Sequence, residues 1–306
     1  MVYRRSLLFG WFIVFAGIAT AQCKDKTVNA ADPKKQTFDG FASIAITKDD
    51  MSYPGREFSL GRSALVGNAV VFYPLSNDFG IQTDVELNQF KYDNNAIDGN
   101  SMNGAIGFHG FWRDPDKGLF GIQANAARTR TDITGARYQN ERYLIGPEAA
   151  YFSDRHSFYG RANYLSSSLT LDAGSFNQTA PATGFSLESE WRYFMSDHLM
   201  VSALVGYERF SRSAPGRVGY TYDFYRAGIM AEYQIQSSPI SLFSQASFHR
   251  ISYISDKDIS SIELDESRLL MGIKYSISDK TLFLRERSGA SLKNFPEFHY
   301  VDDIGG

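Results

Sequence analysis

The chain has 306 residues, a formal charge of −3, 43% hydrophobic residues and a single cysteine. That mild acidity argues against a nucleic-acid partner, and one cysteine excludes an intrachain disulfide framework. The aromatic content is high, with 24 Phe, 18 Tyr and 3 Trp, and beyond the first twenty or so residues no apolar run approaches the length of about 20 that a membrane-spanning helix needs.

Residues 1–21 read as a signal peptide. Arg4 and Arg5 form a charged start, Leu7 to Ile18 an apolar core, and Ala19-Thr20-Ala21 a small-residue cleavage site. The apolar core would span roughly 18 Å as a helix, too short for a bilayer core of about 30 Å. Lipidation at Cys23 is disfavoured, because Gln22 occupies the position where a lipobox wants a small residue. Loss of Arg4 and Arg5 on export takes the charge from −3 to −5. Residues 22–36 are expected to be a flexible N-terminal tail, 37–278 a barrel, and 279–306 a C-terminal periplasmic tail.

From Phe38 onward the chain alternates apolar with small or polar residues at period two, the signature of half-buried strands. The first strand carries Phe38, Gly40, Ala42, Ile44 and Ile46 on one face, and the polar stretch Lys48 to Glu57 follows it. Strand two ends on Tyr73, and strand three sets Ile81, Val85 and Leu87 against Gln82, Asp84 and Glu86. After a loop over Tyr92 to Ser101 comes a hairpin in which Ile106, Phe108 and Trp112 lead into Asp114-Pro115-Asp116-Lys117-Gly118, then Phe120, Ile122 and Ala124. Pro suits the second position of that turn and Gly its exit. A polar loop is expected over Thr129 to Glu141, strands six and seven turn at Ser153-Asp154-Arg155, and a long loop is expected over Ser166 to Thr183. Strands eight and nine turn at Ser196-Asp197, and Ser211 to Gly219 is a loop. Strands ten and eleven turn between Gln236 and Pro239, and Ser255 to Glu263 leads into a twelfth strand ending near Ile277.

Short turns and longer polar loops thus alternate along twelve strands. That asymmetry, with strands of about 10 residues, is expected of an outer-membrane barrel. Tyr73, Trp112, Tyr151, Tyr193 and Tyr233 all close strands on the short-turn side and would form a girdle at the membrane interface. A soluble sandwich or lipocalin-like barrel would have to pack the large aromatic face into one interior, which twelve such strands would overfill.

If the apolar face meets lipid, the other face lines the lumen. It carries Asp84, Glu86, Glu148, Glu188, Glu190, Glu208 and Glu232, against Arg161, Arg192, Arg226 and Lys274. An excess of acids would favour cations in an open passage, whereas cross-lumen pairing would hold the barrel closed. Catalytic signals are weak: neither a G-x-S-x-G elbow nor an H-E-x-x-H pair occurs. Two wall pairings, His109 with Ser247 and His249 with Ser101, are the combinations a lipid hydrolase could use. No spacing supports a metal site or a cofactor.

The run Gly110-Phe111-Trp112-Arg113-Asp114-Pro115-Asp116-Lys117-Gly118 resembles the FWRDP-x-x-G turn of outer-membrane β-barrel, porin-like proteins of alphaproteobacterial type. The resemblance extends to Val201 through Glu208, to the strand Leu269 to Ile277, and to the tail that begins Lys280-Thr281-Leu282 and continues with Arg285, Glu286 and Arg287. It implies an outer-membrane barrel and brings no settled substrate or catalytic residue.

The expectation is an all-β protein, an antiparallel up-and-down transmembrane β-barrel of about 12 strands in the outer membrane. The expected role is a porin-like passive channel for small solutes or a structural envelope barrel. A lipid or lipopolysaccharide hydrolase and a surface-loop adhesin are the alternatives. Expected partners are outer-membrane lipids, small solutes and the assembly machinery, which would read an internal signal at Gly272-Ile273-Lys274-Tyr275-Ser276-Ile277.

Overall fold

Strict alternation lets one strand satisfy two solvents, provided the sheet closes so that every backbone group finds a partner. A computed structural model shows that closure. It describes residues 36–52, 54, 59–92, 99–133, 136–173, 176–212, 219–255 and 261–290. The expected signal peptide, most of the N-terminal tail and residues 291–306 lie outside the described residues.

Twelve strands form among the described residues: β1 (Asp39–Ser52), β2 (Ser59–Pro74), β3 (Phe79–Tyr92), β4 (Gly99–Asp114), β5 (Gly118–Ile133), β6 (Ala136–Ser153), β7 (His156–Ala173), β8 (Phe176–Ser196), β9 (Leu199–Arg212), β10 (Tyr220–Gln234), β11 (Ile240–Ser255) and β12 (Ser261–Ser276). Each pairs antiparallel with its sequence neighbour, and β1 pairs with β12 from Phe41↔Ser276 to Ser52↔Asp265, which closes the barrel. A short helix, α1 (Leu282–Ser288), follows β12.

The two faces differ sharply. Phe108 and Ile122 point outward and are 55% and 60% exposed, while Asp84 and His109 on neighbouring inward positions are 0% and 2% exposed. A wall of exposed Ile, Leu, Phe and Tyr around a buried polar interior inverts a soluble protein and fits a hydrocarbon surround. The Asp114–Gly118 turn forms as its residues dictate. The Lys117 N–H donates to the Asp114 carbonyl at 3.1 Å, and the Asp116 N–H donates to Asp114 Oδ1 at 3.0 Å. Gly118 is required at the exit, because its φ is +149° and a Cβ there would lie 2.0 Å from the Ala150 carbonyl.

Two expected loops are strand instead. Most of Thr129 to Glu141 belongs to β5 and β6, and most of Ser166 to Thr183 belongs to β7 and β8. These segments are polar on both faces, which reads as loop in a sequence. Outward polar residues are compatible with a strand once the wall rises beyond lipid into water. There Arg130 and Arg137 both pair with Asp132, and Thr170 and Thr179 share a hydrogen bond across β7 and β8. The 21 residues of β8 are about twice the 9–11 needed to cross a membrane.

One seam departs from regular pairing. The β6–β7 register runs to Ile145↔Tyr164 and resumes at Glu148↔Arg161, skipping Gly146 and Pro147. Proline lacks the N–H that a ladder bond needs.

The barrel lumen as candidate functional site

The interior is layered from the short-turn end upward. At that end the segment after β12 folds back into the mouth. Thr281 caps α1, its hydroxyl accepting from the Leu284 N–H at 3.3 Å, and the Gly289 N–H donates to the Arg285 carbonyl at the other end. Leu282 packs on Phe194 and Met200, and Ala290 joins Phe72, Phe111 and Phe152. Polar contacts then tie this strap to the turns. Arg287 donates to the carbonyls of Pro115, Asp154 and His156, and the Phe283 N–H donates to the Asp197 carbonyl. Arg113, stacked on Phe72 and Phe111, donates to the Gly289 carbonyl at 2.5 Å.

Asp39, the first residue of β1, anchors the other side. Its carboxylate accepts from Ser278 Oγ at 2.5 Å and from the Ala290 N–H at 3.0 Å. Lys280 donates to the Ser288 carbonyl at 2.6 Å. Burial pulls its ammonium down to about 8; the Asp39 carboxylate opposes that fall, and the Arg113 and Arg285 cations add to it.

Above the strap, His109 lies between two acids. Its Nε2 is 2.8 Å from Asp84 Oδ2 and its Nδ1 is 2.9 Å from Glu148 Oε1. Tyr159 donates its hydroxyl to Glu148 and Gln82 its amide to Asp84, both at 2.8 Å. Neither ring nitrogen is left to activate a nucleophile, and the Ser101 hydroxyl bonds Thr131 Oγ1 at 2.8 Å. Farther around the wall Glu188 sits between Arg161, at 3.1 Å, and Arg226. Glu232 accepts from Lys274 at 2.5 Å, Arg142 pairs with Glu208, and Arg192 reaches Glu190 at 2.9 Å and Glu286 of α1 at 2.7 Å.

Toward the opposite end four charges close a ring. Arg62 bonds Asp49 and Glu266, each at 2.8 Å, and Arg268 bonds the same two acids at 3.0 and 2.8 Å. Met51, Leu60, Tyr92, Phe224, Ile251 and Leu264 form an apolar layer beside it. Between this ring and the strap lies a cavity of about 240 Å³.

The structure therefore gathers every charge expected on the inner face, with Asp84, Glu86, Glu148, Arg161, Glu188, Glu190, Arg192, Glu208, Arg226 and Glu232 buried and Lys274 half-buried. The rings of Tyr73, Trp112, Tyr151, Tyr193 and Tyr233 stand outside the wall beside the short turns. Asp49, Arg142, Glu266 and Arg268 were not foreseen on the lumen face because the expected strands stopped short of them, and Arg62 was not foreseen although it lies within the expected second strand, from about Phe58 to Tyr73. The alternation continuing from Asp49 in phase with Thr47, and from Arg268 back to Glu266, is the signal that could have found them. The lumenal role of Arg285, Glu286 and Arg287 was hidden because a charged tail gives no periodic cue, and that of Asp39 and Arg113, at the ends of β1 and β4, because their partners lie in that tail.

Comparison with known proteins gives a family and a fold. No curated protein matches the sequence. The translocator domain of the autotransporter NalP from Neisseria meningitidis is similar in structure, with a TM-score of 0.53 and 9% identity over 88% of this chain and 95% of that chain. The β domain of the Bordetella autotransporter BrkA aligns at a TM-score of 0.45 and 8% identity, over 78% of this chain and 99% of that one. A Pseudomonas aeruginosa FadL homologue aligns at 0.41 and 11%, over 78% and 90%. The family described as outer membrane protein beta-barrel domain matches residues 63–234, from β2 to the last residue of β10. With a closed antiparallel barrel whose apolar face turns outward, this chain belongs to that family of outer-membrane β-barrels.

Proposed function

We propose that this protein is a narrow porin-like channel for small solutes, held shut at its short-turn mouth by the C-terminal strap and constricted toward the other end by the Arg62–Asp49–Arg268–Glu266 ring. The observation that carries this reading is the cavity of about 240 Å³ in the lumen, lined by charged, amide and apolar side chains together. A barrel serving only as a wall fills its inside with side chains. Here instead a space is kept, bordered by ion pairs, between the strap and the four-charge ring. No covalent step belongs to the reading, since both nitrogens of His109 are engaged by carboxylates. Lipids around the apolar face and the outer-membrane assembly machinery are its expected partners.

A structural envelope barrel is the second reading, favoured by the cross-wall bridge Arg161–Glu188–Arg226 and by the strap itself. Single-channel recording of the refolded chain in a planar bilayer separates the two. A channel gives small or rare steps in the full chain and frequent, larger steps when residues 279–306 are deleted. Silence from both proteins, each heat-modifiable and folded, leaves the structural barrel.

A further inference from the structure

The mid-lumen cavity has a chemistry more specific than a water-filled gap. Its cations each face a carboxylate: Arg192 faces Glu190 and Glu286, Lys274 faces Glu232, Arg268 faces Glu266 and Asp49, Arg226 faces Glu188, and Arg285 faces Asp39 at 3.6 Å. An ionic solute entering here would have to displace buried partners, which is costly. A neutral solute would not.

Arg285 and Glu232 on this wall each leave one polar atom without a partner but are engaged at another, whereas one amide is unmet at both of its polar atoms. Asn68 on β2 lines the cavity, is 9% exposed, and has no protein partner at either Oδ1 or Nδ2. It lies opposite Glu86 in the β2–β3 register, and Asn88 two residues on spends its Nδ2 on Glu86 at 2.5 Å while its own Oδ1 also lacks a partner. One short strip of wall thus holds an adjacent donor and acceptor with a further acceptor beside them, all covered in the structure, so that a solute meets them once the amide turns toward the cavity. A hydroxyl both donates and accepts, so neighbouring hydroxyls on one molecule complement such a strip. A buried amide left without partners is costly, and a ligand that supplies them is favoured accordingly. The remaining wall is apolar where a carbon face would rest, with Phe243 and Phe90, and Met200 and Met230, bordering the same space. At about 240 Å³ the cavity falls below the range of about 300–1,000 Å³ for drug-sized pockets.

We propose that the cavity is a binding site for a neutral polyhydroxylated solute of monosaccharide or polyol size, held by the Asn68 amide. This deepens the channel reading and rests on it for the solute's route into the lumen.

The test is saturation-transfer NMR on the full chain refolded in detergent, with D-glucose as probe and L-alanine and sodium acetate as charged probes of small size. Glucose should receive saturation and the charged probes should not. Asn68→Leu, which keeps the branched heavy-atom outline and removes the amide, should weaken glucose binding by about tenfold. Ser202→Leu, which fills the cavity from β9, is the second variant should Asn68→Leu fail to fold, and it should abolish the glucose signal. Glucose saturation absent from the wild type, or equal in wild type and both variants, overturns the site. Equal saturation of alanine or acetate also overturns it, as does a cavity that holds ordered water alone. Conductance without glucose binding overturns the inference and spares the channel reading. Glucose binding without conductance supports the site and removes the channel.

Discussion

At the scale of single residues, the interior depends on charges that cannot be removed one at a time. His109 separates the Asp84 and Glu148 carboxylates, and all three side chains are fully buried. His109→Leu should therefore destabilise the barrel by about 3–5 kcal/mol, the cost of stranding buried charge, read as a lower urea midpoint in detergent. The double variant His109→Leu/Glu148→Gln should recover part of that loss, because one of the stranded charges is gone. The inward direction of Asp84, Glu148 and His109 was legible in the sequence, since period-two alternation fixes which face each occupies. Who meets whom was not. Asp84 and His109 lie two positions apart in β3–β4 register, while Glu148 reaches His109 from β6, past the intervening strand β5. Such a contact depends on how the barrel curves, which no local pattern records.

At the scale of elements, the short turns were legible because Pro115, Asp116 and Gly118 each occupy the position their backbone preferences favour. The upper hairpins were not, because a strand in water on its outer face loses the hydrophobic beat. The strap was also hidden: α1 has seven residues and is rich in charge, so nothing in its sequence separates it from a tail. Its docking carries a pH dependence. Lys280 holds its proton less tightly when docked, at about 8, than its ordinary value of 10.5. Docking therefore releases a proton between those values, and the docked state gains stability as pH rises through about 8, levelling off near 10.5. Amide exchange of residues 283–290, corrected for its intrinsic pH dependence, should show rising protection over that window. Lys280→Met should flatten the profile.

At the scale of the whole molecule, the outward face decides the environment. Ile122 is 60% exposed. On a soluble barrel Ile122→Arg would change stability by no more than about 0.5 kcal/mol. Facing hydrocarbon two residues in from the girdle position of Trp112, which pairs with Phe120, it should cost about 1–3 kcal/mol, between the interface and midplane values. Unfolding of both proteins from lipid vesicles measures the difference, and a neutral result would remove the membrane placement of β5. The twelve-strand architecture itself followed from the count of turns and loops, because an up-and-down barrel pairs sequence neighbours and needs only β1 and β12 to meet over a distance.

That last meeting is recorded by one residue. Asp39 at the start of β1 holds Ser278 and Ala290, the latter 251 positions away in sequence. The stopper can seat only after both chain ends have reached the same edge, so an unfinished barrel leaves its mouth uncorked. On the channel reading, leakiness is therefore a readout of incomplete assembly. Asp39→Asn should yield barrels that fold yet leak small dyes from vesicles, whereas in the wild type the leak should fall as β1 and β12 zip shut.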